Sequence, residues 1–373
     1  MGGDADRLCR VESMNLAPTH EQVERGLNDE DANVRRAWAK RMDWTPTPEQ
    51  VKIGLNDDDT DVRKAWARRM DWTPTPEQVE KGLKDSRWIV RLTWITRTDW
   101  TPTYKQIDRG ILDSDWMTRK EWVKRMDWTP TQEQVERGLN HDYNEVRVAW
   151  VERMDWTPSR EQIDNGLDDT WSNTWSIRTA WAERMDWTPT PEQVKCGLSD
   201  SNSSVRAAWI RRMDWTPTQE QLESGLTDNS WSMRLEWVKR MDWTPTPEQV
   251  ERGLNDEYSD ARAAWVKRMD WTPTPEQVER GLKDEWNTKI CVAWLKRMDW
   301  TPTREQVERG LLDESWNIRE AWIGRMDWTP THEQIENGLN DPDQNVGAAW
   351  MNRLKMGMDA ELVDDSQYME ASL

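Results

Sequence analysis

The chain has 373 residues, of which 35% are hydrophobic and 32% charged, and its formal net charge is −19. It contains 30 Trp, no Phe and only 4 Tyr, and this repeated use of one aromatic residue indicates a copied module instead of a conventional mixed core. Three widely spaced cysteines argue against a disulfide framework or a metal knuckle, and there is neither an apolar run long enough to cross a membrane nor a signal peptide. We therefore expect a soluble cytoplasmic protein.

Tryptophan sets the period of the chain. One series, which we call the inner Trp, recurs every 28 residues except for one step of 31 and one of 29. Its members, which number the repeats 1 to 12, are Trp38, Trp66, Trp94, Trp122, Trp150, Trp181, Trp209, Trp237, Trp265, Trp294, Trp322 and Trp350. Twelve copies predict an array over residues 17–355, preceded by an N-terminal capping segment at 1–16. Residues 356–373 form an acidic tail that we expect to be flexible, with a short terminal helix as the alternative.

The first helix of each repeat has a clear start signal, as residues 45–72 illustrate. Thr47 is a hydroxyl N-cap and Gln50 stands three residues later, which together make a capping box. Val51 and Leu55 then fall on one face of a short helix. A glycine, Gly54 in this repeat, lies between them in every copy, although glycine inside a helix costs roughly 1 kcal/mol. Its repetition predicts either close approach by a neighbour or a left-handed helix end.

A second helix follows a polar turn at 56–59. Val62, Trp66 and Met70 are spaced four residues apart and predict its buried stripe, and Pro74 predicts that it ends shortly before. Helices this short are unstable alone, so each has to bury its stripe against the next repeat. The sequence therefore predicts an all-α fold, a right-handed α-solenoid of twelve two-helix repeats of about 28 residues.

The run VxxGLxDxxxxVRxAWxxR resembles HEAT-like repeats, and with a segment such as TPTPEQVERGL at its start the unit is similar to the leucine-rich repeat variant, a bacterial α-solenoid family. The resemblance covers about 340 residues and is specific for architecture, whereas such solenoids host many functions. The chain departs from these families in carrying Trp where they usually carry aliphatic residues or Ala. It also lacks a cysteine cluster for the iron–sulfur module known beside some leucine-rich repeat variant arrays.

Two arginines are fixed in the repeat, and we expect both to be structural. In HEAT-like arrays the turn Asp and the Arg of the Val-Arg pair often form a ladder between units. This resemblance implies pairs of Asp29, Asp57 and Asp85 with Arg35, Arg63 and Arg91, and so on along the array. The other arginine stands three residues after the inner Trp, where it can face a nearby Asp or stack on indole. These candidates are Arg41, Arg69 and Arg97, with Asp43, Asp71 and Asp99.

Function is expected where the copies differ. Three positions of the second helix vary: six residues before the inner Trp, two before it and two after it. Because they are four residues apart, they form one stripe roughly opposite the inner Trp, which we call the variable stripe and expect on a concave wall. Five of its outermost positions are Trp, a favoured binding anchor: Trp88, Trp116, Trp175, Trp231 and Trp316. Beside them stand Leu92, Lys120, Thr179, Leu235 and Glu320.

These ten residues are the predicted partner-binding site. The alternative is that the five Trp pack over the turn of the adjacent repeat, while the remaining variation is neutral change on a solvated face. Trp171 and Trp286 fall at the two places where the period lengthens, and we expect the insertions there to reshape the same wall.

Catalysis finds little support in the sequence. His20, His141 and His332 are scattered, and the first and last of them occupy a helix-start position that other repeats fill with Pro, Gln, Tyr or Arg. No nucleophile–base arrangement, phosphate-binding glycine loop or metal-ligand spacing is present. We therefore predict no catalytic residue, metal, cofactor or small-molecule substrate.

The sequence predicts a non-catalytic scaffold that binds a protein or peptide. Two alternatives stay open: a modular solenoid that reads nucleic acid one repeat per base, and an acidic mimic of nucleic acid that occupies a basic partner. Each second helix is locally basic, whereas the net charge of −19 opposes phosphate binding unless the charges segregate. A continuous basic stripe on the concave wall would favour nucleic acid, and a mixed aromatic one would favour a protein or peptide.

Overall fold

The computed structural model describes residue 11 and residues 17–169, 174–283 and 288–369, with side chains described as far as residue 356. Within these ranges the regular structure is α-helical, and 24 helices alternate as the first and second helices of twelve repeats. This confirms the predicted all-α solenoid of two-helix repeats. Of the predicted capping segment at 1–16, Val11 lies within the described residues and is buried. No helix in the described ranges is both long and apolar enough to cross a membrane.

The helices are short. The first helices are His20–Leu27, Pro48–Gly54, Pro76–Gly82, Tyr104–Gly110, Gln132–Leu139, Arg160–Leu167, Pro191–Leu198, Gln219–Leu226, Pro247–Leu254, Pro275–Leu282, Arg304–Leu311 and His332–Leu339. The second helices are Ala32–Lys40, Thr60–Arg68, Trp88–Ile95, Trp116–Lys124, Asn144–Glu152, Trp175–Glu183, Ser203–Arg211, Trp231–Lys239, Ser259–Lys267, Thr288–Leu295, Trp316–Ile323 and Gln344–Met369. The last of them continues beyond the array, as far as Met369. The structure therefore has helix in the tail, where the sequence analysis favoured a flexible segment and named a short terminal helix as the alternative.

The first helices begin as predicted. The Thr47 hydroxyl accepts a hydrogen bond from the backbone N–H of Gln50 over 3.3 Å, and the Gln50 side chain accepts one from the backbone N–H of Thr47 over 2.8 Å. The same reciprocal pair recurs at the other first helices, from Thr19 in repeat 1 to Thr331 in repeat 12. It satisfies two N–H groups that the start of a helix leaves without a partner, which matters in a helix of only two turns.

The repeated glycine is required by the second helix. The indole ring of Trp66 lies against the side of Gly54 where a Cβ atom would stand. The residue that ends this helix, Leu55, keeps a right-handed conformation with φ −71° and ψ −9°. Of the two explanations offered for the glycine, close approach is therefore confirmed and the left-handed helix end is wrong.

The buried stripe of the second helix is shorter than predicted. Val62 and Trp66 are each 1% exposed, but Met70 is 51% exposed. The helix ends at Arg68, and Arg69 is extended, with φ −68° and ψ 131°. Helical spacing therefore does not reach Met70, and the prediction that it belongs to the core is wrong. The equivalent methionines of most other repeats are exposed as well.

The chain comprises two compact units, residues 1–193 and residues 194–373. Within each unit, the second helices of successive repeats pack side by side, and first helices pack on the second helix of their own repeat. The inner Trp fill the space between these two layers. Most of them also meet the Trp at the end of the preceding repeat: Trp44 and Trp66 lie edge to face with ring centres 6.0 Å apart, a favourable aromatic geometry.

Candidate functional site

The ladder arginine, which is the Arg of the Val-Arg pair, links most repeats to the next. Arg35 donates from Nε and Nη2 to the two carboxylate oxygens of Asp57 in repeat 2, over 2.7 and 2.8 Å, and from Nη1 to the backbone carbonyl of Asp29 in its own repeat. The predicted ladder is thereby confirmed, and the carboxylate comes from the following repeat. The same pairing joins Arg63 to Asp85, Arg91 to Asp113, Arg147 to Asp169, Arg234 to Asp256 and Arg319 to Asp341.

The ladder is interrupted between repeats 4 and 5. His141 stands where other repeats have the turn Asp, and its Nδ1 accepts a hydrogen bond from the backbone N–H of Tyr143 over 3.0 Å. It offers no carboxylate to Arg119, whose Nε has no hydrogen-bond partner in the described part of the chain and whose guanidinium lies 5.5 Å from the Tyr143 ring centre. Burial and the positive charge of Arg119 lower the pKa of His141. The prediction that the ladder continues along the whole array is wrong at this step, and it is wrong again in repeat 10, where Cys291 stands at the position of the ladder arginine.

The second fixed arginine, which we call the sealing arginine, donates hydrogen bonds to the end of the preceding repeat. The buried Arg69 guanidinium donates to Asp71 over 3.0 Å and lies 4.4 Å from the ring centre of Trp44, so both predicted roles are confirmed. It also donates to the backbone carbonyls of Trp44, Ala39 and Arg41 in repeat 1. The sequence gives no sign of this third role, because every residue has a backbone carbonyl. Equivalent bonds are made by Arg97, Arg125, Arg153, Arg184, Arg240, Arg268, Arg297 and Arg325.

A further set of ion pairs, which sequence reasoning missed, joins neighbouring first helices. The Glu80 carboxylate accepts hydrogen bonds from Arg109 over 2.8 and 3.0 Å and from the Gln106 amide over 3.1 Å. These bonds, the Arg109 bond above all, favour the ionised carboxylate and lower the pKa of Glu80 to about 2. The same geometry lowers the pKa to about 2 at Glu251 beside Arg280 and at Glu279 beside Arg309. The sequence does contain a signal for these ion pairs, because each Glu is followed by a Gln and an Arg at equivalent positions of the next repeat.

The variable stripe lies on the side of the second helices that these fixed contacts leave open. The residues two positions after the inner Trp are exposed in all twelve repeats. The residues that stand two positions before the inner Trp are mostly half-buried, although Ala207 and Ala263 are buried and Glu320 is exposed. Leu92, Lys120, Thr179 and Leu235 are among the half-buried residues.

The five predicted Trp anchors divide into two groups. Trp88, Trp175 and Trp316 are 37%, 40% and 36% exposed, each at the first position of a second helix. Trp116 and Trp231 begin their helices in the same way but are half-buried.

The two half-buried Trp stack on tyrosines of the following repeat. Trp116 lies on Tyr143 with ring centres 6.0 Å apart and planes 14° apart, and Trp231 lies on Tyr258 at 5.6 Å and 23°. At these two positions the structure has the packing over an adjacent turn that the sequence leaves as the alternative. A signal was present, because two of the four Tyr in the chain occupy the turn that follows a Trp of the variable stripe.

The residues of the variable stripe that stand two positions after the inner Trp are mainly basic, whereas the whole chain is acidic. Two positions after the inner Trp, seven repeats carry a cation and two an anion, in a chain with 51 basic and 70 acidic residues. The cations are Lys40, Arg68, Lys124, Arg211, Lys239, Lys267 and Lys296. Glu152 and Glu183 occupy consecutive repeats between them. The stripe as a whole is therefore a mixed aromatic and basic surface with three carboxylates, those of Glu152, Glu183 and Glu320.

The histidines do not form a cluster. His20 and His332 begin first helices, as predicted, and His141 lies in a turn. Across the described ranges, no group of three His, Cys, Asp or Glu side chains is arranged to hold a metal ion. Trp171 and Trp286, predicted to reshape the wall, lie outside the described residues.

Comparisons with protein families and with solved structures find similarities to this chain. Residues 20–37 match the family described as a HEAT repeat associated with sister chromatid cohesion. The chain is also similar to a solved structure described as a leucine-rich repeat variant with a novel repetitive protein structural motif, at 20% identity and a TM-score of 0.43, over 69% of this chain and 88% of that one. A comparison with curated protein sequences finds no match. The chain is thus similar to HEAT-like and leucine-rich repeat variant proteins, as the sequence predicts.

Proposed function

We propose that the chain is a non-catalytic binding scaffold whose variable stripe receives a protein or peptide partner. One observation carries this proposal: the repeated Trp and Arg residues are buried or paired with each other, whereas the varying residues two positions after the inner Trp are all exposed. Trp66 and Arg69 are buried, and the Arg35 guanidinium is hydrogen-bonded both to Asp57 of the next repeat and to the backbone of its own repeat. The position two residues after the inner Trp is exposed in every repeat. A varying row of exposed residues on a fixed frame is what a binding surface on a repeat protein requires.

Trp88, Trp175 and Trp316 are the proposed principal anchors. An exposed indole offers a large apolar area with few rotatable bonds, so a partner can bury it at a low cost in side-chain entropy. One helical turn further along the same helices stand Leu92, Thr179 and Glu320. Trp116 and Trp231, with Lys120 and Leu235, form the proposed secondary contacts, because their indoles are already stacked on tyrosines.

A protein or peptide fits this surface better than nucleic acid does. A nucleic-acid backbone presents phosphates at regular intervals and binds best to an unbroken row of cations. Glu152 and Glu183 break the row of cations on the variable stripe, and apolar side chains stand among the charged ones. A polypeptide can offer apolar, acidic and polar groups in the order that the stripe demands.

The test is affinity capture by the full chain from a native lysate, with and without nuclease, followed by mass spectrometry. Wild type is compared with the triple variant Trp88→Ala, Trp175→Ala, Trp316→Ala, and circular dichroism checks helix content. A matched control, Trp116→Ala with Trp231→Ala, removes indoles that the array itself uses. We expect a nuclease-resistant protein that wild type and the control retain and the triple variant loses. Retention that disappears with nuclease would support nucleic-acid binding instead, and loss of helix in the triple variant would show that these Trp are core residues.

A further inference from the structure

We infer that the groove between the second helices of repeats 8 and 9 binds an acidic peptide segment, with one aliphatic side chain in the groove and carboxylates on its rim. This partner chemistry rests on the proposed binding function and deepens it for one part of the variable stripe. Three features of the groove carry the inference: its apolar floor, its cationic rim and the sign of the charge around it.

The floor of the groove is apolar and has the volume for a side chain. The cavity measures about 330 Å³ and lies entirely within the second unit. Leu235 and Val238 line it from repeat 8, and Ala263 and Ala264 line it from repeat 9. Leu235 and Ala263 occupy equivalent positions of the variable stripe, so the small alanine opens the space that a second leucine would fill. Small-molecule and side-chain pockets of this size are typically lined by such apolar groups with a few polar groups at the edge.

The edge of the groove includes an exposed methionine. Met241 is 58% exposed and lines the cavity beside Lys239. A thioether on three rotatable bonds adapts its shape to an incoming aliphatic group, and methionine is common at surfaces that bind peptides. Met241, which is the equivalent of Met70 in repeat 8, thus contributes apolar surface to the groove.

The rim of the groove carries ammonium groups. Lys239, Lys267 and Lys289 line it, and each is exposed. The Lys239 amine lies 2.9 Å from Glu236, and Lys289 pairs with Asp260. In the part of the chain that the structure describes, Lys267 has no carboxylate within ion-pair distance. Exposed ion pairs contribute little, so carboxylates of a ligand can replace the internal partners and bind Lys267 directly.

The surrounding charge favours a peptide over nucleic acid. The same row continues with Lys296 in repeat 10, so the groove is locally basic although the whole chain carries −19. A phosphate backbone could pair with the lysines but would leave the apolar floor of the groove empty. An acidic peptide matches both features, because its carboxylates face the lysines and its aliphatic side chain fills the floor.

The test pans a random peptide library, displayed on phage, against the immobilised full chain. We expect the selected peptides to carry leucine, isoleucine or methionine next to aspartate or glutamate. The tightest of them is synthesised with a fluorophore, and its dissociation constant is measured by anisotropy. Lys267→Glu is expected to weaken binding about tenfold, and added salt to weaken wild-type binding.

Lys124→Glu, the same change at the same repeat position in the first unit, is the matched control and is expected to leave affinity unchanged. Lys267→Arg is expected to bind like wild type.

Other outcomes separate this inference from the proposed function. Peptides that bind Lys267→Glu and wild type equally, but lose affinity in the Trp88, Trp175 and Trp316 variant, would overturn the groove assignment and leave the scaffold in place. Selection of basic peptides would overturn the assignment in the same way. If the library yields no specific binder, both the groove assignment and the proposed peptide-binding function are overturned, whether or not a labelled oligouridylate probe binds. Circular dichroism of each variant shows that the array is folded.

Discussion

A Cβ atom on Gly54 would lie 2.0 Å from Nε1 of the Trp66 indole. Real Cβ atoms do not approach other heavy atoms so closely, because repulsion rises steeply below van der Waals contact. The equivalent glycine meets the inner Trp of its own repeat in the same way, from Gly26 with Trp38 to Gly338 with Trp350. The first helix therefore accepts the low helix propensity of glycine so that a fully buried indole can lie against its backbone.

We expect Gly54→Ala to destabilise the protein, although alanine is the better helix former. The added methyl overpacks a buried ring, and overpacking a core costs about 1–3 kcal/mol, which outweighs a propensity gain of roughly 1 kcal/mol. Chemical denaturation measures the loss. The control is Gly324→Ala, where a Cβ atom would meet nothing nearer than a backbone oxygen at 3.5 Å and stability is expected to hold or rise slightly. Equal stability of Gly54→Ala and wild type would show that Trp66 moves aside freely.

Restoring the missing ladder carboxylate is expected to stabilise the array. In His141→Asp, a carboxylate would face Arg119 as Asp113 faces Arg91, and a charged hydrogen-bonded pair of this kind contributes about 1 kcal/mol. The thermal unfolding midpoint at neutral pH is expected to rise. His141→Asn keeps an acceptor for the backbone N–H of Tyr143 without the charge, so the difference between the two variants isolates the ion pair. If the aspartate and asparagine variants unfold at the same temperature, the ladder charge adds no stability here.

Removal of a sealing arginine is expected to destabilise the fold strongly. Arg69→Met would leave Asp71 and three backbone carbonyls of repeat 1 without their donor, and breaking a buried ionic network from one side costs about 3–5 kcal/mol. Urea denaturation measures the change. Arg68→Met, one residue earlier on an exposed position, is the matched control and is expected to shift stability by less than about 0.5 kcal/mol. Arg69→Lys is expected to recover only part of the loss, because an ammonium lacks the planar fork of donors. Comparable effects at positions 68 and 69 would contradict the sealing role.

Acid is expected to weaken the contacts between first helices. The pKa values of Glu80, Glu251 and Glu279 are about 2 in the folded protein, below the ordinary 4.5. The unfolded chain therefore binds more protons, so the stabilisation is complete above about pH 4.5 and is lost as the pH falls from there towards 2. Replacing all three by Gln is expected to flatten the decline of the thermal midpoint across this window. Glu77→Gln, in the same helix as Glu80, is the control and should leave the slope unchanged. An equal slope in the triple variant and wild type would exclude these pairs as the cause.

Local chemistry explains how much of the fold the sequence could predict. Thr47 and Gln50 cap a helix through contacts only three residues apart, so their roles are legible in one repeat. Arg35 and Asp57 are 22 residues apart, yet opposite charges that recur in most copies must meet across a junction, and the ladder was predictable on that ground. Repetition thus turned long-range contacts into a local pattern.

The errors arose where one copy departs from the others or where backbone groups decide the outcome. Met70 is exposed because Arg69 leaves the helix to reach carbonyls of repeat 1, and sequence spacing alone cannot show that helix end. The candidate site was predictable as a stripe but not residue by residue. Trp116 is half-buried and Trp88 is more than a third exposed although they occupy the same position, because Tyr143 follows the former one repeat later.

The two arginine systems also give every repeat a direction. In repeat 2, Arg69 reaches back to the carbonyls of repeat 1, while Arg63 reaches forward to Asp85 in repeat 3. Each flank of a repeat therefore carries its own donor and its own acceptor, and the two flanks are not interchangeable, much as the subunits of a polar filament join head to tail. Duplication of one whole 28-residue unit within the gene would insert a matched donor and acceptor together and satisfy both new junctions at once. Such vectorial junctions allow an array to lengthen by copying, with no change to the residues already in place.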